Sequence, residues 1–261
     1  MMSGQEAVLS ANAARVVYNE DSDAPVEAVR SITLDLRRGE ILALVGPSGC
    51  GKTTLFNAIA GLIPLQGGTV EVGGTQVEKA NGHVGYMLQK DLLLPWRTVI
   101  ENVTLGLEIR GRHKAEARRI ALDLIRRYGL AGFENSKPSG LSGGMRQRVA
   151  LMRTLAFEPE VILLDEPFSA LDFQTRILLQ ADVKRIIREQ EKSVILITHD
   201  IGEAISMANR IVVLTNRPAT VKTIHEVPWG GEETDPLTIR DLPDYQHMFS
   251  AIWQELELAP H

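Results

Sequence analysis

The sequence has one cysteine, Cys50. An internal disulfide framework is therefore impossible, and a reducing cytoplasm is the natural home. Long hydrophobic runs are missing too. The longest, such as ILALV (41–45) and IVVL (211–214), are strand-length, far short of the ~20 residues that a membrane helix needs. The first residues, MMSGQEAVLSANAARVV, lack a basic region followed by an apolar block, so no signal peptide is expected. Excess positive charge is also absent. The formal net charge is -5, which argues against a general nucleic-acid binder. Internal repeats and low-complexity tracts are not seen. What remains is an ordinary globular composition, 44% hydrophobic and 23% charged over 261 residues. That length suits one large domain, or a core with an inserted subdomain.

The pattern along the chain is mixed. Ala13 to Leu36 reads as β structure broken by a polar turn, NEDSDAP (19–25). Within it, Ile32, Leu34 and Leu36 alternate with Thr33 and Asp35, as in a half-buried strand. ILALV is continuous and suits a buried parallel strand. LFNAIAGL (55–62) predicts a helix, and TVEVGGTQV (69–77) a hairpin turning at Gly73–Gly74. From about 99 to 155 the character turns helical. Ala117, Ile120, Ala121, Leu124, Ile125 and Tyr128 recur at helical spacing, and Gly129 stands where a stop belongs. The arginines on its other face read as a solvated surface. VILLDEP (161–167), SVILITHD (193–200) and NRIVVL (209–214) then alternate with helical patterns, predicting a mainly parallel sheet. Beyond about Pro218 the patterning is weak. PWGGEETDP (228–236) reads as a loop and YQHMFSAIWQELEL (245–258) as a terminal helix.

GPSGCGKTT (46–54) matches G-x-x-x-x-G-K-[ST] and lies between a predicted strand and helix. Here the backbone of Gly46, Pro47, Ser48, Gly49, Cys50 and Gly51 can wrap a phosphate. The amides and helix N-terminus offer partial positive charge. Lys52 is placed for the β- and γ-phosphates, the Thr53 hydroxyl for Mg²⁺, and Thr54 completes the loop. Cys50 reads as a small filler, not a nucleophile. Hydrolysis needs a second, acidic element, and VILLDEP supplies it. Asp165 is placed to hold Mg²⁺ and Glu166 to polarise the attacking water.

A second glycine-rich turn, LSGGMRQR (141–148), also opens a predicted helix, running to about Leu155. It resembles the signature of ATP-binding cassette (ABC) ATPases. The order GPSGCGKTT, Gln89 in YMLQKD, LSGGMRQR, VILLDEP, SALD (169–172) and His199 in THD is similar to that family from about residue 13 to 215. The resemblance implies an α/β fold, a P-loop NTPase core of ABC type with an antiparallel β subdomain and an inserted α-helical subdomain. Residues 1–88 would form the β subdomain and first part of the core. Residues 89–155 would carry the glutamine loop and the helical signature subdomain, 156–225 the second part of the core, and 226–261 a C-terminal tail. Two cassettes would pair head to tail around ATP. Leu141, Ser142, Gly143, Gly144 and Gln147 of one would then meet ATP bound to the other. Asp172 would communicate across that dimer. Tyr18 would stack on adenine, Gln89 would sense Mg²⁺ and the γ-phosphate, and His199 would act as the switch histidine.

The resemblance also implies a job. One cassette with no membrane span, a short helical insertion and DLLLPWRTVIENV (91–103) after Gln89 looks like the motor of an importer. In the family, Leu92, Leu93, Leu94 and Trp96 lie where a permease's coupling helix docks, though some could equally be core. LLPWRTVIENV, NRPATVKTIHEV (216–227) and FSAIWQEL (249–256) are similar to the nitrate, sulfonate and taurine importers and to carriers of thiamine-precursor pyrimidines. The implied partners are a second cassette, an integral membrane permease and, indirectly, an extracytoplasmic solute-binding protein; nucleic acid is not among them. The implied place is peripheral, at the cytoplasmic face of the inner membrane, with ATP and Mg²⁺ as cofactors. Alternatives are a soluble ABC ATPase, such as the iron–sulfur assembly type, an exporter subunit, or a nucleotide-binding regulator.

Overall fold

The computed structural model describes residues 6–21, 24–80, 82–169, 171–230 and 236–257. Parts of the expectations above lie outside these residues: the first five of the N-terminal segment, 22–23 of the polar turn, Ala170 of SALD, 231–235 of the loop after Trp229, and Leu258 of the terminal helix.

Two sheets share the work. β1 (Ala7–Tyr18) and β2 (Val26–Arg37) pair antiparallel. β3 (Ile41–Val45) leads through the phosphate-loop sequence into α1 (Lys52–Ile59). β4 (Gly67–Val72) and β5 (Thr75–Gln76) form the expected hairpin, with Gly73 and Gly74 both at positive φ, the backbone that a two-residue hairpin turn requires. These strands make a four-stranded antiparallel sheet in the order β2-β1-β4-β5. β6 (Val84–Met87) returns to the core beside β7 (Val161–Asp165). Between them lie α2 (Val99–Ile109), α3 (Lys114–Arg127), a 3-10 turn at Pro138–Gly140 and α4 (Gly143–Leu155). After β7 come α5 (Phe173–Glu189), β8 (Ser193–Ile197), α6 (Ile201–Met207), β9 (Arg210–Leu214) and β10 (Val221–Glu226). The tail adds α7 (Pro236–Ile239) and α8 (Pro243–Glu257).

The second sheet runs β10-β9-β3-β8-β7-β6 and is parallel except for β10. Its inner strands are buried on both faces, which is why β3, β7, β8 and β9 read as unbroken apolar runs. Alternate residues feed different cores. Leu42, Leu44, Leu163 and Ile197 face α1 and the antiparallel sheet. Ala43, Val45, Leu164 and Leu196 face α2–α6 and α8. The antiparallel sheet thus rests on one face of the central sheet, and the helical insertion with the tail on the other.

The structure extends the sequence reading in several places, the strand β6 and the helix α7 among them. β1 begins at Ala7, earlier than the β pattern was read. β10 was not foreseen at all. It is an edge strand whose residues are alternately half-buried and exposed, so its apolar signal is weak.

Candidate active site

The loop between β3 and α1 is built for an anion. α1 has no side-chain cap and no acidic residue in its first turn, so its first amides are left for the loop to use. By contrast α2, which has no such task, carries a full capping box between Thr98 and Glu101. Gly51 sits at φ +126, and a Cβ there would meet the Ala28 carbonyl oxygen at 2.5 Å. Only glycine fits that turn without strain. Cys50 is 1% exposed, as a filler should be. Lys52 is also buried, and its Nζ donates to the Gly46 and Pro47 carbonyls at 2.8 and 2.9 Å. The positive charge is thereby held at the mouth of the loop. At the outer rim the Tyr18 hydroxyl donates to Thr54 Oγ1 at 3.2 Å, and its ring is half exposed.

The acidic strand meets this loop. Thr53 Oγ1 donates to Asp165 Oδ2 at 3.1 Å, and the Tyr86 hydroxyl donates to the same oxygen at 3.3 Å. Burial pushes the Asp165 carboxyl above its usual range, while these two hydrogen bonds and nearby Lys52 pull it back. Burial and the Asp165 charge likewise raise the Tyr86 hydroxyl, which stays neutral. Tyr86 was not foreseen as part of the site. It is locked edge-on against Phe56 of α1, with ring centroids 5.8 Å apart. A hydroxyl and a carboxylate in contact are hard oxygen donors of the kind that Mg²⁺ prefers, so the residues present fit that ion.

Glu166 leaves the strand with φ +47, a left-handed conformation unusual outside glycine. Its amide is anchored to the Ile197 carbonyl at 2.9 Å. The carboxylate then gathers the two remaining residues. Gln89 Nε2 donates to Glu166 Oε2 at 2.8 Å, and His199 Nδ1 lies 3.3 Å from that oxygen. Residues from four separate loops therefore converge at the carboxyl ends of the parallel strands, where open α/β sheets bind ligands.

The signature lies apart from this cluster, at the start of α4. Ser142 is the N-cap, accepting from the Met145 amide at 3.3 Å. Asp172 caps α5 in the same way, accepting from Thr175 at 3.0 Å, and these bonds hold its carboxyl below the usual range. The two helix starts touch: a Cβ on Gly144 would come 2.8 Å from Thr175 Cγ2. Leu141 and Gln147 lie inward. Leu141 is 6% exposed and Gln147 5%. Gln147 lines a small cavity with Met87, Leu164 and Phe168, and its Oε1 has no partner among the described residues. In this conformation neither side chain is offered to a second subunit. Ser142 is exposed, and Gly143 and Gly144 are half-buried.

Sequence reasoning also missed the tie between the glutamine loop and the signature helix. Asp91 accepts from Arg146 Nε at 3.1 Å, and Arg146 holds the Leu141 carbonyl at 2.8 Å. Arg153 donates to the Asp91 and Leu92 carbonyls at 2.6 and 2.8 Å. The acid after Gln89 and the arginines after LSGG were the available signal.

These features define a nucleotide-hydrolysing cassette, and comparison with known proteins agrees. The ABC transporter family description matches residues 29–169. A Bacillus subtilis protein named as an uncharacterised ABC transporter ATP-binding protein, YtlC, is 46% identical over 229 residues, 88% of each chain. The taurine import ATP-binding protein TauB of Escherichia coli K12 is 45% identical over 194 residues, 74% of this chain and 76% of TauB. Among solved structures, the dimeric MJ0796 cassette in a post-hydrolysis state with ADP and Pi superposes with TM-score 0.73 at 30% identity, covering 84% of this chain and 98% of that one. The chain belongs to the ABC transporter family, as an ATP-hydrolysing ATP-binding subunit.

Proposed function

We propose that this chain is the motor of an importer for a small solute of the taurine, sulfonate or nitrate type. The observation that carries the motor reading is the grip of Gln89 and His199 on one oxygen of Glu166, beside the Thr53–Asp165 pair. The likeness to TauB supports the solute class.

The residues divide the work. The Gly46–Thr54 backbone binds the phosphate chain, and Lys52 exchanges its two carbonyl partners for phosphate oxygens. Tyr18 stacks on the adenine. Thr53 and Asp165, together with Gln89, would hold Mg²⁺, which would supply charge neutralisation on the phosphates. Glu166 orients the attacking water and takes its proton, and His199 steadies the γ-phosphate and the Glu166 carboxylate. Ser142, Gly143 and Gly144 of a second copy close over that phosphate, so ATP joins a head-to-tail homodimer, with Asp172 at the seam. Closure is driven by the difference in ATP affinity between closed and open states, and hydrolysis removes it.

Transport requires a membrane partner, because no helix among the described residues is long and apolar enough to cross a membrane. A surface is ready for one. Trp96 is 68% exposed beside an open cleft of about 830 Å³, floored by Ile100 and rimmed by Glu101, Glu108, Arg112 and Lys114. Such a groove suits a short amphipathic helix of a permease. Leu92 is exposed, whereas Leu93 is core. Peripheral attachment at the cytoplasmic face, and indirect dependence on an extracytoplasmic solute-binding protein, follow from this reading.

Tagged Glu166→Gln protein, purified from detergent-solubilised host membranes with Mg-ATP, tests it. Mass spectrometry should find a polytopic permease in fixed stoichiometry. Ribosomes or an assembly protein in its place would leave the ATPase standing and remove the transport role.

A further inference from the structure

The tail comes back to the catalytic loops. α7 and α8 lie against α6, with Ile239, Tyr245 and Ile252 buried in the core beside Ile205 and Trp229. Their polar groups meet at one point. A Cβ added to Gly202, in the first turn of α6, would find Tyr245 Oη at 2.9 Å, Asp200 Oδ1 at 3.2 Å and Arg240 Nη2 at 3.7 Å. Asp200 follows His199 directly and is the N-cap of α6, accepting from the Glu203 amide at 3.1 Å. Anything that moves Asp200 therefore moves the histidine.

Arg240 also reaches the other loop. Its guanidinium lies over the Phe173 ring, 5.4 Å from the centroid. Phe173 follows Asp172 and is the first residue of α5. A planar cation can stack on an aromatic face and still present its edge to a carboxylate. The core supplies a parallel tie: Arg176 Nη2 donates to the Leu171 carbonyl at 3.0 Å, and its Nη1 donates to Asp200 Oδ2 at 3.4 Å. The starts of α5 and α6 are thus spanned twice: from inside by Arg176, which hydrogen-bonds to both, and from the tail by Arg240, which lies over Phe173 and packs beside Gly202.

We propose that Arg240 is a positioning residue for ATP hydrolysis, holding the Leu171–Phe173 loop and the Asp200 cap as one unit so that the dimer seam and His199 move together. The proposal rests on the roles given above to His199 and Glu166. The tail is then a working part of the motor, not only packing on α6.

The test compares full-length wild type, Arg240→Ala, Arg240→Lys and Tyr245→Phe with Glu166→Gln in parallel, reading kcat, KM for ATP and Tm. Arg240→Ala is expected to lose about five- to tenfold in kcat with KM held within about twofold, the pattern of an interaction that matters in the transition state. Its Tm should stay within a few degrees, and Arg240→Lys should recover part of the rate by keeping the charge near Asp200. A cycle with Phe173→Leu should be non-additive, because the two residues act as one contact. Unchanged kcat in Arg240→Ala, beside an inactive Glu166→Gln, would overturn the proposal and leave the motor reading intact. A fall in kcat matched by a fall in ATP binding or Tm would overturn it too, by showing a plain packing role. Normal turnover in Glu166→Gln would remove the motor reading, and this proposal with it.

Discussion

Gln89 Nε2 stands 2.8 Å from Glu166 Oε2, joining a loop that leads into the helical insertion to the acid at the end of β7. The same oxygen lies 3.3 Å from His199 Nδ1. Glu166→Gln keeps the shape and removes the base. Turnover should fall by at least about 100-fold, the usual weight of a general base. ATP affinity should stay near wild type, since the phosphate loop is untouched. Single-turnover hydrolysis beside nucleotide binding measures both, and near-normal turnover would take the role from Glu166.

Lys52 is the cation at the loop mouth, held by the Gly46 and Pro47 carbonyls and, at 3.8 Å, by Cys50 Sγ. Lys52→Ala should weaken ATP binding about tenfold or more, because charge-assisted hydrogen bonds to phosphate are lost. Titration with a fluorescent ATP analogue reads this directly. Unaltered affinity would mean that the phosphates bind elsewhere.

Much of this site was legible in the sequence because each element is a local motif with fixed spacing. The strand before Gly46, the helix after Lys52 and the strand ending at Asp165 all stand as read. The less legible parts are long-range or partly exposed. Tyr86 and Asp165 are separated by 79 residues, and nothing local joins them. β10 is an edge strand with one half-buried face. Gln147 was grouped with the signature residues that would meet a partner's ATP, and on α4 it stands one turn before Leu151, which lines the same cavity. Helical phase predicts that burial better than motif membership does. The tail carried no motif, so its contact with Gly202 appears only in three dimensions.

Trp96 offers the separation of motor from transport. It is exposed and stands outside the Glu166 cluster. Trp96→Ala should leave the basal ATPase of the isolated chain within about twofold while reducing permease co-purification by tenfold or more, as expected for loss of a central aromatic anchor. Equal recovery of permease would exclude this groove as the docking site.

Arg210 tests the frame. Its buried guanidinium bridges Glu40 and Asp35, at 2.5 and 3.0 Å, and these carboxylates raise its already high pKa. Arg210→Met strands Glu40, which is 5% exposed, and should cost about 3–5 kcal/mol by chemical denaturation. Adding Glu40→Gln should return a large part of that loss, because an uncompensated buried charge is the main penalty. A double variant no more stable than the single one would place the loss in packing instead.

Glu203 gives the pH dependence. It is 4% exposed in α6, and its Oε1 has no partner among the described residues. Burial first, then the charge of Asp200, push its carboxyl up to about 8. The folded chain therefore keeps a proton that the unfolded chain releases near 4.5. Below that range both states are protonated and the group contributes its full stability. As pH rises through about 8, the contribution is lost. Glu203→Gln mimics the protonated acid at every pH. Wild type and variant should unfold at similar denaturant concentrations near pH 5. By pH 9 the variant should be the more stable, by at most a few kcal/mol on the scale of 1.36 per pH unit. A constant difference across that range would mean that Glu203 is ionised in the folded chain, with Arg176 balancing its charge.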